Sequence, residues 1–131
     1  CEDGSWCAET VFAILNSTWG ELCMESLGAT LGGGALKLEA THLRQLPLPK
    51  LSSSQKEDLR CLVREALQSA HAVTDLRYHR SKIDRVVISS LSQRQVSVDE
   101  AEAVVETFAQ LIRSLRANRR RTHNYESTAE P

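Results

Sequence analysis

The sequence predicts a mainly helical domain with one small β element, an α+β arrangement in which helices surround a Gly-rich turn and a short strand or hairpin. Three observations predict it. Apolar residues recur at helical spacing through most of residues 54–115, as in Leu59, Leu62, Val63, Ala66 and Leu67. All six glycines fall within the first 34 residues, and three of them are consecutive, Gly32, Gly33 and Gly34. Directly after them Leu36, Leu38 and Ala40 alternate with Lys37, Glu39 and Thr41, the period-two pattern of a strand with one buried face.

The elements follow in order. Ser5 is placed to cap a first helix that buries Trp6, Cys7, Val11, Ile14 and Leu15. Asn16 and Ser17 interrupt it. Asn16 is given a structural role in which its side chain ties down backbone. Trp19, Leu22, Cys23 and Leu27 continue the apolar stripe to Gly28, a candidate C-cap. Three glycines permit backbone conformations closed to other residues. Thr41 is a candidate cap for a helical turn through Arg44 or Gln45. Pro47 and Pro49 then stop any helix and bias Leu46 and Leu48 to extended conformations. The β element becomes a sheet if 46–48 pairs with 35–39.

Ser54 and Glu57 have capping-box spacing, which predicts a helix to about residue 72. A further helix over 76–92 turns Ile83, Val86, Val87 and Leu91 inward and Arg77, Arg80, Lys82 and Arg85 outward, with Asp84 paired to Arg80 or Arg77. Ser97 and Glu100 form a second capping box, with Val96 and Ala101 as its hydrophobic staple. Ala101, Val104, Val105, Phe108, Leu111, Ile112 and Leu115 give the clearest helix, which either packs into the domain or forms a hairpin arm with 76–92. The domain is expected to span 1–121, divided into a first part at 1–51 and a helical part at 52–121, with a flexible tail at 122–131.

At 131 residues, 41% hydrophobic and 25% charged, the chain suits one domain with a modest core. No apolar run approaches the ~20 residues that span a bilayer. Residue 1 is a cysteine and no basic n-region follows, so the expectation is a fragment of a longer polypeptide without a signal peptide. The four cysteines have no CxxC spacing and do not cluster with the four histidines, which argues against zinc. Reduced thiols are expected, with Cys7 and Cys23 packed as small hydrophobes.

The net charge of −1 hides segregation: residues 1–30 carry five acids and no base, and residues 113–131 five arginines against two acids. Such a distribution serves either as a solvated surface or as a basic face for an anionic partner.

Leu15-Asn16-Ser17, the glycine cluster leading into Leu36-Lys37-Leu38, the exit Leu46-Pro47-Leu48-Pro49, and Ile83-Asp84 followed by Val87 stand in a characteristic order. This set resembles the C-terminal specificity region of adenine-N6 DNA methyltransferases, the TaqI-like enzymes and the fused restriction–modification proteins related to them. The resemblance covers about residues 11–95 in scattered motifs. It implies a DNA-recognition module that positions duplex DNA for a catalytic domain of the same parent chain, which would hold S-adenosylmethionine, in a prokaryotic cytoplasm with no membrane partner. Asn16, Ser17, Gly32, Gly33, Gly34, Pro47 and Pro49 are then its structural motif. Lys37, His42, Arg44 and Lys50 beside the rigid turn are the candidate DNA contacts. The chain has no Pro-Pro-aromatic motif for a flipped adenine, and Gly32–Gly34 precede a strand rather than follow one. No catalysis is therefore expected of it alone. A helical structural or protein-interaction domain without DNA binding is the other reading, in which acidic residues 1–30 face a partner.

Overall fold

A computed structural model describes residues 6–31, 35–69 and 73–127. Among them are six helices and one two-stranded antiparallel sheet, so the protein is mainly α with a small β element. The helices are α1 (Ala8–Leu15), α2 (Thr18–Leu27), α3 (Ala40–Arg44), α4 (Ser53–Gln68), α5 (Val73–Ser92) and α6 (Val98–Ser127). The strands β1 (Ala29–Thr30) and β2 (Leu36–Lys37) lie between α2 and α3.

Helix α1 begins at Ala8, because Cys7 has extended backbone and serves as its N-cap. Ser5, expected to cap it, lies outside the described residues. The helix turns Thr10, Ala13 and Ile14 inward and leaves Trp6 41% and Val11 36% exposed, against the expectation that both are buried. Asn16 ends α1, its side chain donating to Phe12 O at 2.8 Å. Ser17 caps α2: its Oγ accepts from Gly20 N at 3.0 Å and donates to Ile14 O at 2.6 Å. The Asn-Ser step thus satisfies backbone groups at both helix ends.

Gly28 does close α2, but with φ −67 it is not in the left-handed region. A Cβ there would lie 2.5 Å from the Leu36 side chain, so close packing against β2 explains the glycine. Strand β2 pairs with β1, Ala29 opposite Lys37 and Thr30 opposite Leu36. It does not pair with 46–48. Pro47 and Pro49 have no N–H to donate to a ladder, whereas β1 is a short loop away. Gly32, Gly33 and Gly34 lie outside the described residues. The alternating pattern over 36–40 yields only two strand residues, and Leu38 and Ala40 are exposed. Glu39, not Thr41, is the N-cap of α3, and its N–H donates to His42 Nδ1 at 3.0 Å.

Ser52 rather than Ser54 caps α4, in a capping box with Gln55. Glu57 is then free to bind Arg60. Helix α4 ends at Gln68, and Ser69 closes it. Ala13 and Ile14 from α1, Leu59 and Val63 from α4, and Ile83 and Val87 from α5 form the main core. On α5 the inward stripe continues to Ser90, whose Oγ donates to Lys50 O at 2.6 Å, while Leu91 is 38% exposed instead of buried. A second core joins Ile88, Val96 and Ala101 with Val104, Val105 and Phe108. Trp19 links the two, its ring 5.7 Å from that of Phe108. On α6 Ile112 is buried and Leu111 is not. Cys7 and Cys23 are buried, and burial pushes the Cys23 thiol up to about 11, which keeps it an apolar, protonated group.

Helix α6 packs along both α2 and α5, so it folds back onto the body rather than projecting as an arm. Its capping box is formed as expected: Ser97 N donates to Glu100 Oε2 at 2.8 Å, and Glu100 N donates to Ser97 Oγ at 3.2 Å. The helix continues through Ser127, past the expected start of a tail at 122. Hydrogen bonding to Arg94 first, and then to Ser97, draws the Glu100 carboxyl down from 4.5 to about 2. A depressed carboxyl pKa contributes stability that is complete above the unfolded value and lost as pH falls through the folded one. The Glu100→Gln variant keeps the capping geometry without the charge. It is expected to lose less stability than the parent between pH 4.5 and about 2 in matched urea titrations. Equal losses would remove Glu100 from the acid response.

Candidate nucleic-acid interface

The segment 36–50 leaves α2 through the hairpin and reaches α4 through the proline exit. Two side chains hold that exit in place. Trp19 of α2 donates Nε1 to Pro47 O at 3.4 Å, and Ser90 of α5 holds Lys50 O. Pro49 is buried between these anchors. The backbone carrying the candidate contacts is therefore pinned to two helices of the core.

The four side chains are differently placed. Lys37 pairs with Glu39 at 2.6 Å, and both are about half exposed. Such a pair is worth at most ~1 kcal/mol and opens cheaply for another anion. Glu39 also joins Lys37 to His42, whose Nδ1 is committed as an acceptor to the α3 cap. His42 thus has a local structural task. Arg44 in the last turn of α3 and Lys50 in the exit are exposed and make no ion pair with a described residue. Leu31, Leu38, Leu43 and Leu48, in and around the same segment, are 38–49% exposed.

The motif residues meet at the start of α2. Asp84 of α5 is only 4% exposed, and it accepts from Thr18 N at 2.6 Å and from Thr18 Oγ1 at 2.8 Å. It therefore caps α2 from 66 positions away, where the sequence pairs it with Arg80 or Arg77. Arg80 instead binds Glu21 and Thr18 Oγ1. Burial is the leading influence on Asp84. It raises the carboxyl above 3.8 despite the Thr18 hydrogen bonds and the charge of Arg80. A readable signal existed: Asp84 sits between Ile83 and the Val87–Ile88 pair on the inward side of α5, and a buried carboxylate needs donors.

The acidic start and the basic end of the chain neutralise one another. Glu21 binds Arg80 and Arg116, while Glu25 binds Arg116 at 2.8 Å and Arg119 at 2.5 Å. Burial opposes ionisation of both acids, but the guanidinium groups prevail and hold both below the usual carboxylate range. Glu9 similarly binds Arg64 at 3.2 Å. The described acids of 1–30 thus pair with this chain's own helices. Arg113 pairs with Glu106, so of the five C-terminal arginines Arg120 and Arg121 alone lack an ion pair with a described residue. Glu21 with Glu25 and Arg116 with Arg119 have one-turn spacings that carried this signal.

Comparisons with protein-family models, curated proteins and solved structures give no significant match. No described helix is long and apolar enough to cross a membrane.

Proposed function

We propose that this chain is the DNA-recognition module of an adenine-N6 DNA methyltransferase of a restriction–modification system. In this reading it positions duplex DNA while a catalytic domain of the parent chain transfers the methyl group from S-adenosylmethionine in a prokaryotic cytoplasm. The observation that carries the reading is the junction at α2. Asn16-Ser17 and Ile83-Asp84, distant parts of the resemblance, are bonded through Thr18, and Trp19 beside it anchors the Leu-Pro-Leu-Pro exit. The arrangement supports a rigid platform from which Lys37, Arg44 and Lys50 reach phosphates or base edges. His42 contributes through its ring edge while its Nδ1 holds the cap.

The isolated chain is expected to bind duplex DNA with an affinity that falls steeply between low and physiological salt, as phosphate neutralisation requires. Fluorescence anisotropy with a labelled duplex reads this. No binding at low salt by folded protein would refute the proposal. The exposed leucines at 31, 38, 43 and 48 favour a second reading, in which this segment docks on another protein surface. Retained binding to a catalytic domain without any binding to DNA would select it.

A further inference from the structure

We propose that the cleft between α5 and the first turns of α6 is a separate subsite for a nucleotide unit of a nucleic-acid strand, apolar face on the floor and phosphate at the rim. The ligand class rests on the DNA-binding reading above; the place rests on its own geometry. The cleft has a volume of about 440 Å³, in the range of small-ligand sites. Val98, Ala101 and Val105 of α6, at i, i+3 and i+7, form its apolar floor. Arg77, Lys82 and Arg85 of α5 form the rim, beside a Tyr78 ring that is 57% exposed.

The rim gathers several cations in one place. Many other arginines are paired with acids: Arg60 with Glu57, Arg64 with Glu9, Arg94 with Glu100, Arg113 with Glu106, and Arg116 and Arg119 with Glu25, whereas Arg44, Arg120 and Arg121 make no ion pair with a described residue. In the cleft Arg77 makes no ion pair with a described residue. Arg85 commits only its Nε, to Val96 O at 3.2 Å. Lys82 lies with Nζ 4.3 Å from the Tyr78 ring centre, and Glu65 of α4 acts on it without forming an ion pair. The cleft holds two carboxylates, Glu102 and the Thr18-bonded Asp84, against four cations, of which Arg80 is paired with Glu21. Arg77, Lys82 and Arg85 converge on one cleft with no ion pair to a described residue, which favours an anion there. Planar guanidinium groups match phosphate oxygens, and an apolar floor with an exposed aromatic ring suits a nucleoside better than an acidic side chain.

The test titrates the full chain with 5′-phosphorylated dithymidylate, inorganic phosphate and a hexaglutamate peptide, followed by amide chemical shifts. The dinucleotide is expected to move signals of 77–85 and 98–105 and to bind more tightly than either other probe. Arg77→Ala with Lys82→Ala removes rim charge, and Val98→Trp fills the floor without changing charge. Each is expected to weaken the dinucleotide by about five-fold or more, whereas Arg113→Ala, a control of equal charge loss per site, leaves it unchanged. Unaltered affinity in both cleft variants, equal binding of inorganic phosphate, or preference for hexaglutamate would each overturn the proposal. Duplex binding with no dinucleotide response overturns the cleft and leaves the DNA reading standing. Dinucleotide binding with no duplex binding does the reverse.

Discussion

The Asp84→Ala variant is expected to be less stable than the parent by about 3 kcal/mol, because two buried hydrogen bonds to a charged acceptor are lost and the Thr18 N–H is stranded at the start of α2. Asp84 is almost fully buried, and its two oxygens hold Thr18 N and Oγ1. The loss also loosens the seat of α2 on α5, so amide exchange of α2 should quicken more than that of α4. Asp84→Asn keeps one carbonyl acceptor and should recover part of the loss. The acid response has a definite sign. A carboxyl raised by burial stabilises the fold in full below its unfolded pKa, and that contribution declines as pH rises through the folded value. Glu21 and Glu25, held low, behave in the opposite way. Asp84→Asn removes the compensating group, so as pH falls its stability should drop more steeply than the parent's in the window just above 3.8, between the raised folded value and the ordinary one. Unchanged denaturant midpoints in Asp84→Ala would show that Thr18 needs no partner.

Gly20→Ala is the second large effect. A Cβ at Gly20 would stand 2.1 Å from Ile14 O and 3.0 Å from Ile14 C and Leu15 Cα. These are backbone atoms of α1, and no side-chain rotation relieves the overlap. The helices must separate, at a cost of about 3 kcal/mol. Gly28→Ala meets only the Leu36 side chain, which can move, and should cost under about 1 kcal/mol. Thermal melts of the two variants side by side measure the difference. Equal melting temperatures would contradict the close approach of α2 to the end of α1.

What the sequence disclosed and what it withheld divide along one physical line. Local patterns were legible: the 3.6-residue stripes of α4, α5 and α6, the Ser97–Glu100 box, and the Asn16-Ser17 step that ends one helix and caps the next. Equivalent local solutions were not separable, since Ser52–Gln55 and Ser54–Glu57 satisfy the same capping spacing and only one is used. The alternation over 36–40 resembles a longer strand because nothing in it shows that Glu39 will cap α3. Contacts between distant residues were least accessible. Asp84 with Thr18, and Glu25 with Arg116 and Arg119, depend on how α5 and α6 lie against α2. Of the candidate site, Lys37, Arg44 and Lys50 stand exposed, whereas the part taken by Glu39 in holding Lys37 and His42 was not readable.

A salt titration of the Lys37→Ala, Arg44→Ala, Lys50→Ala variant on one duplex tests the central claim most directly, with folding checked by circular dichroism. The account predicts weaker binding than the parent chain and a salt slope flattened by roughly two to three phosphate equivalents. Changing Arg120 and Arg121 to Ala should alter sequence preference less. A triple variant that binds like the parent across the whole titration would contradict the DNA-contact role of the 37–50 segment.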